Sequence, residues 1–524
     1  MLLRNRYVQL AIAVLIGVLV YALPRPEGCV FEVRGDPEQR LAAAAGSAYV
    51  LLGTDDDGSY RLEAGGEVEE PGIRLTGLAT TLGAPVEVRY VDGLSPTAFR
   101  FLAVLAALIF LFVVEPIPLE ITAILIGVCL VGFRIVDLTV AWATYMHPVV
   151  VFIMCCLILA IALEKAELTE RLSHAIAKRA GTSVIKFTFM LSIGLGLASG
   201  IMHDAAATAI GIATMLPLMR AAGIEPNTNT ARFMVLSLAF ACSCGGMGTL
   251  VGGGRNMVAA AFLKELTGLE ISFLDWIKFA FPIALVTVPA AVLVVYFVYR
   301  PDPKFKLPKY EGEPGPLSAL QKQAIAIVTL VFLAWLTKGL HGVDYSVTGM
   351  IGVAAMVVIG VLKWDDIHRH LEWGTALFIF GGGIGLGLAM ASSGAASFFA
   401  HQFFPLVEGK GWLVLLAGVC VFGALVTNAM ANVAAAALIL PIVIPLAELE
   451  GVDPRVLALG LACATSFAML LVIGCPPNAI AYSYRQFRSI DLTRVGLVAT
   501  PLLLLLMLTT AGIWWSILGL LSER

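Results

Sequence analysis

The chain has 524 residues, 59% hydrophobic and 14% charged, with a formal net charge of -3. No soluble domain keeps that balance over such a length, so the chain is a polytopic membrane protein. Near-neutral charge excludes the basic surface that nucleic acid requires. Of nine cysteines only Cys29 falls outside an expected span, which implies no disulfide framework. The pairs Cys155/Cys156 and Cys242/Cys244 lack the second half of a zinc set and read as small apolar packing.

Residues 1–24 form the first transmembrane helix, with Arg4 and Arg6 ahead of the apolar run Tyr7–Leu23. Positive charge before that run places the N-terminus in the cytoplasm. It has no small-x-small cleavage site, so it stays uncleaved. Residues 25–96 break the membrane pattern, with no lysine, six arginines and short alternating pieces at Cys29–Arg34, Ala48–Leu52 and Pro85–Val91. These read as a small β-rich extracytoplasmic insertion: a stabilising module, a dimer edge or a substrate-capturing lid.

Residues 97–300 are expected to form a first repeat. Spans occur at Ala98–Val114, Ile121–Ile135 and Val149–Leu163, followed by a charge-rich amphipathic helix, Glu164–Arg179, on the cytoplasmic surface. Phe187–Met219 is too long for one span and is interrupted at Gly200–Ala205, so residues 186–219 read as a re-entrant hairpin. Residues 231–263 read as a helix broken at Gly245–Asn256, and Phe281–Tyr299 as the next span. Residues 301–322, with Lys304, Lys306 and Lys309, form a cytoplasmic linker.

The second repeat, 323–524, follows the same plan. Spans lie near Ala324–Leu340, Thr348–Leu362, Ala376–Ala391 and Val495–Leu518, with a short surface helix at Ala395–Phe404. A second hairpin covers 411–447, and a second broken helix, 455–485, is interrupted at Leu471–Asn478. Arg485, Arg488 and Arg494 keep the start of the last span inside and the C-terminus outside; about eleven membrane helices plus two hairpins satisfy the charge rule. Met215–Pro217 matches Ile439–Pro441 at an offset of 224, Phe152–Cys156 matches Phe378–Gly382 at 226, and Asn256 matches Asn478 at 222. An odd number of passes between copies makes the repeats inverted.

Glycine strings and a Pro-Pro pair cannot hold a regular helix, and the backbone groups they orphan are tolerated in lipid only when buried in protein or lining a polar cavity. Two such breaks at matching places point to the binding site of a secondary transporter. In the second half Thr427, Asn428, Asn432 and the Gly474 carbonyl are neutral oxygen donors; Thr427, Asn432 and Gly474 are read as a sodium set, and Asn432 and Asn478 as facing the substrate. In the first half the candidates are His203, Asp204, Thr208, Arg255 and Asn256. A charged Arg255 at membrane depth needs a counter-ion or an anionic ligand, so it either pairs with Asp204 or grips the substrate in fork geometry. His203 can carry a proton near neutral pH. No nucleophile or metal set is present, so no enzyme activity is expected.

Pro24–Gly28, Gly93–Pro96, Gly245–Gly252, Gly381–Gly394 and Cys475–Asn478 together resemble segments of the divalent anion–sodium symporter family, the transporters of dicarboxylates, citrate and sulfate. The resemblance covers nearly everything outside residues 29–92. It implies a homodimer in the cytoplasmic membrane, built of scaffold and transport domains that work as an elevator, with a small anion and sodium held between hairpin tips and helix breaks. The family's Ser-Asn-Thr motif at each tip is degenerate here: it aligns with Ala431–Val433, keeping Asn432, and with Ala206–Thr208, keeping Thr208. Gly254 and Arg255 stand where the family carries Pro-Pro. The resemblance therefore allows sodium-coupled uptake or sodium-independent exchange, with the Arg255 charge replacing the first-half sodium. The other class of reading is a membrane receptor or regulator that uses the insertion as its partner-binding surface.

Overall fold

The computed structural model describes residues 6–521 except 27, 37–38, 55–57, 66–73, 77, 80–85, 92, 115, 309–314, 372, 397, 400–401 and 403–410. Of the expected helix 395–404, residues 395–396, 398–399 and 402 are helical and the other five fall outside the described residues. The chain divides into two compact units.

The first unit comprises Met1–Thr144, Ile384–Gly411 and Pro441–Glu450. Its opening helix, Arg6–Tyr21, packs on Pro96–Val114, where Gly17 lets the two backbones approach: a Cβ there would lie 3.2 Å from the Ala103 carbonyl oxygen. Leu119–Gly132 follows. Between the first two helices the insertion folds into an antiparallel sheet of β1 (Val30–Arg34), β2 (Tyr49–Thr54), β3 (Tyr60–Ala64) and β4 (Glu87–Tyr90), in the order β2-β3-β1-β4. Alternation buries Phe31 and Val33 from β1, and Tyr60 and Leu62 from β3, against Leu41 of the short helix Arg40–Ala45. Asp36 is buried beneath them; its Oδ2 accepts from Leu41 N at 2.7 Å and from the Tyr60 hydroxyl at 3.3 Å. Strand β3 and the short helix were not visible in the sequence pattern, because β3 is a single five-residue alternation beside a glycine turn.

The second unit comprises Tyr145–Gly383, Trp412–Leu440 and Gly451–Arg524. Pro148–Lys165 ends at Ala166, and the amphipathic helix Leu168–Ala180 starts anew after Glu167, whose φ of 54° turns the chain. The first hairpin is Val184–Met202 and Asp204–Ala221, with only His203 between them. The first broken helix runs Asn229–Gly245, then two 3-10 turns, then Gly254–Thr267. Phe273–Val298, Ala319–Leu336 and Tyr345–Ile359 follow it in sequence; the first of these starts earlier than Phe281 because Ser272 caps it by accepting from Asp275 N. The second hairpin pairs Trp412–Ala429 with Asn432–Leu449. The second broken helix is Pro454–Ala464 and Pro476–Ser483, again with two 3-10 turns between, and Ser489–Ile517 closes the fold.

Among the described residues seven helices are long and apolar enough to cross a bilayer, and shorter apolar helices accompany them. Burial singles out one: 94% of the Asn229–Gly248 window lies inside the protein, against 28–61% in the other six. The first broken helix is therefore the centre of its unit rather than a lipid-facing span.

Candidate functional site

At the first break the helix stops because its glycines meet other backbone. A Cβ on Gly245 would overlap the Gly196 carbonyl oxygen of the first hairpin, so only glycine permits this crossing. The turns at 246–252 leave carbonyls without helical partners, and Asn256 takes two of them: its Nδ2 donates to Gly246 O at 2.8 Å and to Thr249 O at 2.7 Å. The second break repeats this 222 residues later, where Asn478 Nδ2 donates to Ala468 O at 2.7 Å and to Leu471 O at 3.4 Å. These bonds settle both amide orientations, since only the nitrogen can donate to a carbonyl. Each amide oxygen, Asn256 Oδ1 and Asn478 Oδ1, is buried without a hydrogen-bond partner. Two oriented acceptors without donors suit a cation or a bound water.

Arg255 lies one residue from Asn256 and is 2% exposed. All three guanidinium nitrogens are engaged: Nη1 donates to Asp204 Oδ2 at 3.1 Å, Nη2 to Ser243 O at 3.1 Å, and Nε to the Ser466 hydroxyl at 2.9 Å. The residue thus joins the first hairpin tip to both broken helices. Of the two roles that the sequence left open for Arg255, the geometry provides the ion pair with Asp204. The fork is taken by protein groups.

Asp204 is 1% exposed and opens the helix Asp204–Ala221, where the helix dipole favours its negative charge. Beside it His203 has φ of 68°, in the left-handed region that a non-glycine residue seldom occupies. Its Nδ1 stands 3.4 Å from Ala205 N and 3.3 Å from Asp204 Oδ1. Unprotonated, that nitrogen accepts from Ala205 N; protonated, it can bond Asp204 Oδ1, which is otherwise a buried acceptor without a partner. Thr208 turns its hydroxyl back onto Asp204 O at 2.8 Å, one helical turn earlier.

The second tip sits beside the first break, since a Cβ built on Gly254 would lie 3.2 Å from Val433 Cγ2. Asn432 starts the helix after the tip, is 2% exposed, and leaves its Nδ2 without a partner. Thr427 donates to Thr465 O at 3.4 Å, and a Cβ on Gly474 would lie 3.3 Å from Thr427 O. Asn428 is not a free oxygen donor: its Oδ1 accepts from Leu470 N at 2.7 Å and its Nδ2 donates to Ala424 O at 2.6 Å, tying tip to break. The unit therefore brings His203, Asp204, Arg255 and Asn256 together at the first break, and Thr427, Gly474 and Asn478 at the second, while Asn432 stands at the second tip beside the Val433 that faces Gly254. Ser243 Oγ links the two breaks by donating to Ser466 O at 2.7 Å.

The transmembrane-region family of sodium:sulfate symporters matches residues 84–521. The chain belongs to that family. This symporter-family chain is 26% identical over 438 residues to an uncharacterized transporter of Haemophilus influenzae, covering 80% of this chain and 92% of that protein. It is also 26% identical to a sodium-dependent dicarboxylate transporter of Staphylococcus saprophyticus, covering 77% and 84%. Among solved structures it is similar to the YdaH transporter of Alcanivorax borkumensis, with a TM-score of 0.49 at 16% identity over 72% of this chain and 86% of that one. The symporter family's match begins after the first helix and most of the sheet. Ser243 and Ser466 were missed in the sequence; the 222-residue offset that pairs Asn256 with Asn478 pairs Ser243 with Thr465, the residue beside Ser466, and so pointed to this stretch without identifying Ser466.

Proposed function

We propose that the chain is a secondary transporter of a small divalent anion, of the dicarboxylate or sulfate class, in the cytoplasmic membrane. The reading rests on one observation: a buried guanidinium, Arg255, is caged at the first break by a carboxylate, a hydroxyl and a carbonyl, while the second break keeps neutral donors. Such an oxygen cage is what a hard cation takes, so Arg255 supplies a fixed positive charge where the other half binds sodium. Sodium then enters as cargo at the second break, through Thr427, Asn432, the Gly474 carbonyl and Asn478 Oδ1. The unpaired Nδ2 of Asn432 donates to the substrate anion, as do helix N-termini at the tips and breaks. His203, Asp204, Thr208 and Asn256 shape the first-half wall of the same site.

The matching amide bonds at Asn256 and Asn478, one offset apart, support two inverted repeats, 97–300 and 323–524, joined by the linker 301–322. On this reading the hairpins and breaks move together as an elevator within a homodimer, with the N-terminus inside and both the C-terminus and residues 25–96 outside. Membership of a symporter family weighs for transport and against the receptor reading.

The test is uptake of labelled succinate and of labelled sulfate by proteoliposomes holding the purified protein. An inward sodium gradient should drive uptake of one anion, and choline should not replace sodium. If neither anion moves under a sodium gradient, a proton gradient or preloaded exchange, transport of this class is refuted.

A further inference from the structure

A cavity lies within the first unit, lined by none of the tip or break residues. It encloses about 520 Å³ between the helices Arg6–Tyr21, Pro96–Val114 and Leu119–Gly132. Its lining is apolar except at one end, where Arg100 stands with Tyr21 and Phe133. One wall, Leu10–Tyr21, precedes the family match.

Arg100 spends its donors on neutral oxygens: Pro96 O at 3.3 Å, Phe133 O at 2.9 Å and the Thr97 hydroxyl at 3.2 Å. Among the described residues no carboxylate pairs with it. Its charge is held near the helix start by these bonds. From Arg100 to Leu111 the helix rises about 16 Å, close to the roughly 15 Å that one leaflet contributes to the hydrocarbon core. Tyr21, which packs its ring 5.8 Å from Phe99, marks the same level as Arg100 and belongs to the residue type that settles at the membrane interface. Val14 and Val18 on the open side are 66% and 58% exposed, so a chain can enter laterally.

From this juxtaposition we propose that the groove holds one acyl chain of an anionic phospholipid whose phosphate is met by Arg100. Depth matches a single leaflet, the lining matches hydrocarbon, and the end carries one fixed positive charge. A zwitterionic headgroup brings its own ammonium and gains less from that charge than a phosphatidylglycerol does. The bound lipid seats the first helix, which touches the family's core fold along this groove.

The test compares thermal unfolding of the full-length protein in detergent on titration with dioleoyl phosphatidylglycerol or dioleoyl phosphatidylcholine, since a ligand of the folded state raises the transition by mass action. Wild type should be stabilised at lower concentrations of the glycerol lipid. Arg100→Gln should weaken that lipid about fivefold, the worth of one cation near the membrane surface, while Arg100→Lys keeps the preference. Val14→Trp, which fills the open side without touching Arg100, should reduce the response to both lipids. Equal responses of wild type to the two lipids, or an unchanged preference in Arg100→Gln, would overturn the proposal. So would conversion of a dimer to a monomer by Val14→Trp, because the groove would then be covered by a second copy of the chain.

Discussion

Removing the Arg255 guanidinium should cost more than losing one hydrogen bond, and the loss should depend on Asp204. In Arg255→Met the carboxylate of Asp204 remains 1% exposed with no cation, and Ser243 O and Ser466 Oγ lose their donor. Breaking a buried pair from one side costs about 3–5 kcal/mol, whereas replacing both partners with apolar or neutral groups is often close to neutral. The single variant should therefore unfold about 5–10 °C lower in a detergent-based thermal scan. Arg255→Met combined with Asp204→Asn should recover most of that, giving an interaction of about 2–3 kcal/mol in the double-mutant cycle. Arg255→Lys should rescue only in part, because an ammonium cannot reach the three groups of the planar fork. Transport supplies the second readout: without the fixed charge, the first break should need a cation from solution, so the sodium dependence of uptake should steepen. A double variant no more stable than Arg255→Met, together with an unchanged sodium dependence, would refute both the pair and its cation-replacing role.

Asn432→Ala should leave the protein folded, since its Nδ2 has no partner to lose, yet abolish stabilisation by the transported anion in thermal scans. Gly245→Ala should prevent accumulation of folded protein, because the added Cβ overlaps the Gly196 carbonyl oxygen; normal elution on size exclusion would count against the crossing described. In the sheet module burial, then the nearby Asp36 carboxylate, pushes the Tyr60 phenol up to about 12. The stabilisation from a raised pKa is fully present below the ordinary value near 10 and is lost as pH rises through about 12, so the tyrosinate absorbance of wild type minus Tyr60→Phe should appear as pH approaches about 12 and not near 10.

Much of the helical plan could be read from the chain alone. The hairpin turn was placed within Gly200–Ala205 and found at His203, and the first break was placed at Gly245–Asn256, where the helix stops at Gly245 and resumes at Gly254; the second helix already stops at Ala464, seven residues before the Leu471–Asn478 run read as its break. Ser243 and Ser466 were not read as site residues, and Asn428, read only as a neutral oxygen donor, has its amide bridging Ala424 O and Leu470 N. Strand β3 escaped because a five-residue alternation carries little pattern of its own.

Spans, breaks and turns are decided locally. A glycine string, a Pro-Pro pair or an arginine in an apolar run has the same backbone and desolvation consequences wherever the segment goes, so these were determined by the sequence itself. Partners are not local: Arg255 could have faced an anion, solvent or Asp204, and nothing within its own helix distinguishes these. Its Nε partner Ser466 lies 211 residues away and its Nη1 partner Asp204 lies 51 residues away. Only the packing of the first hairpin and both broken helices brings those oxygens within reach, and burial then makes each unpaired polar group costly enough to hold the arrangement.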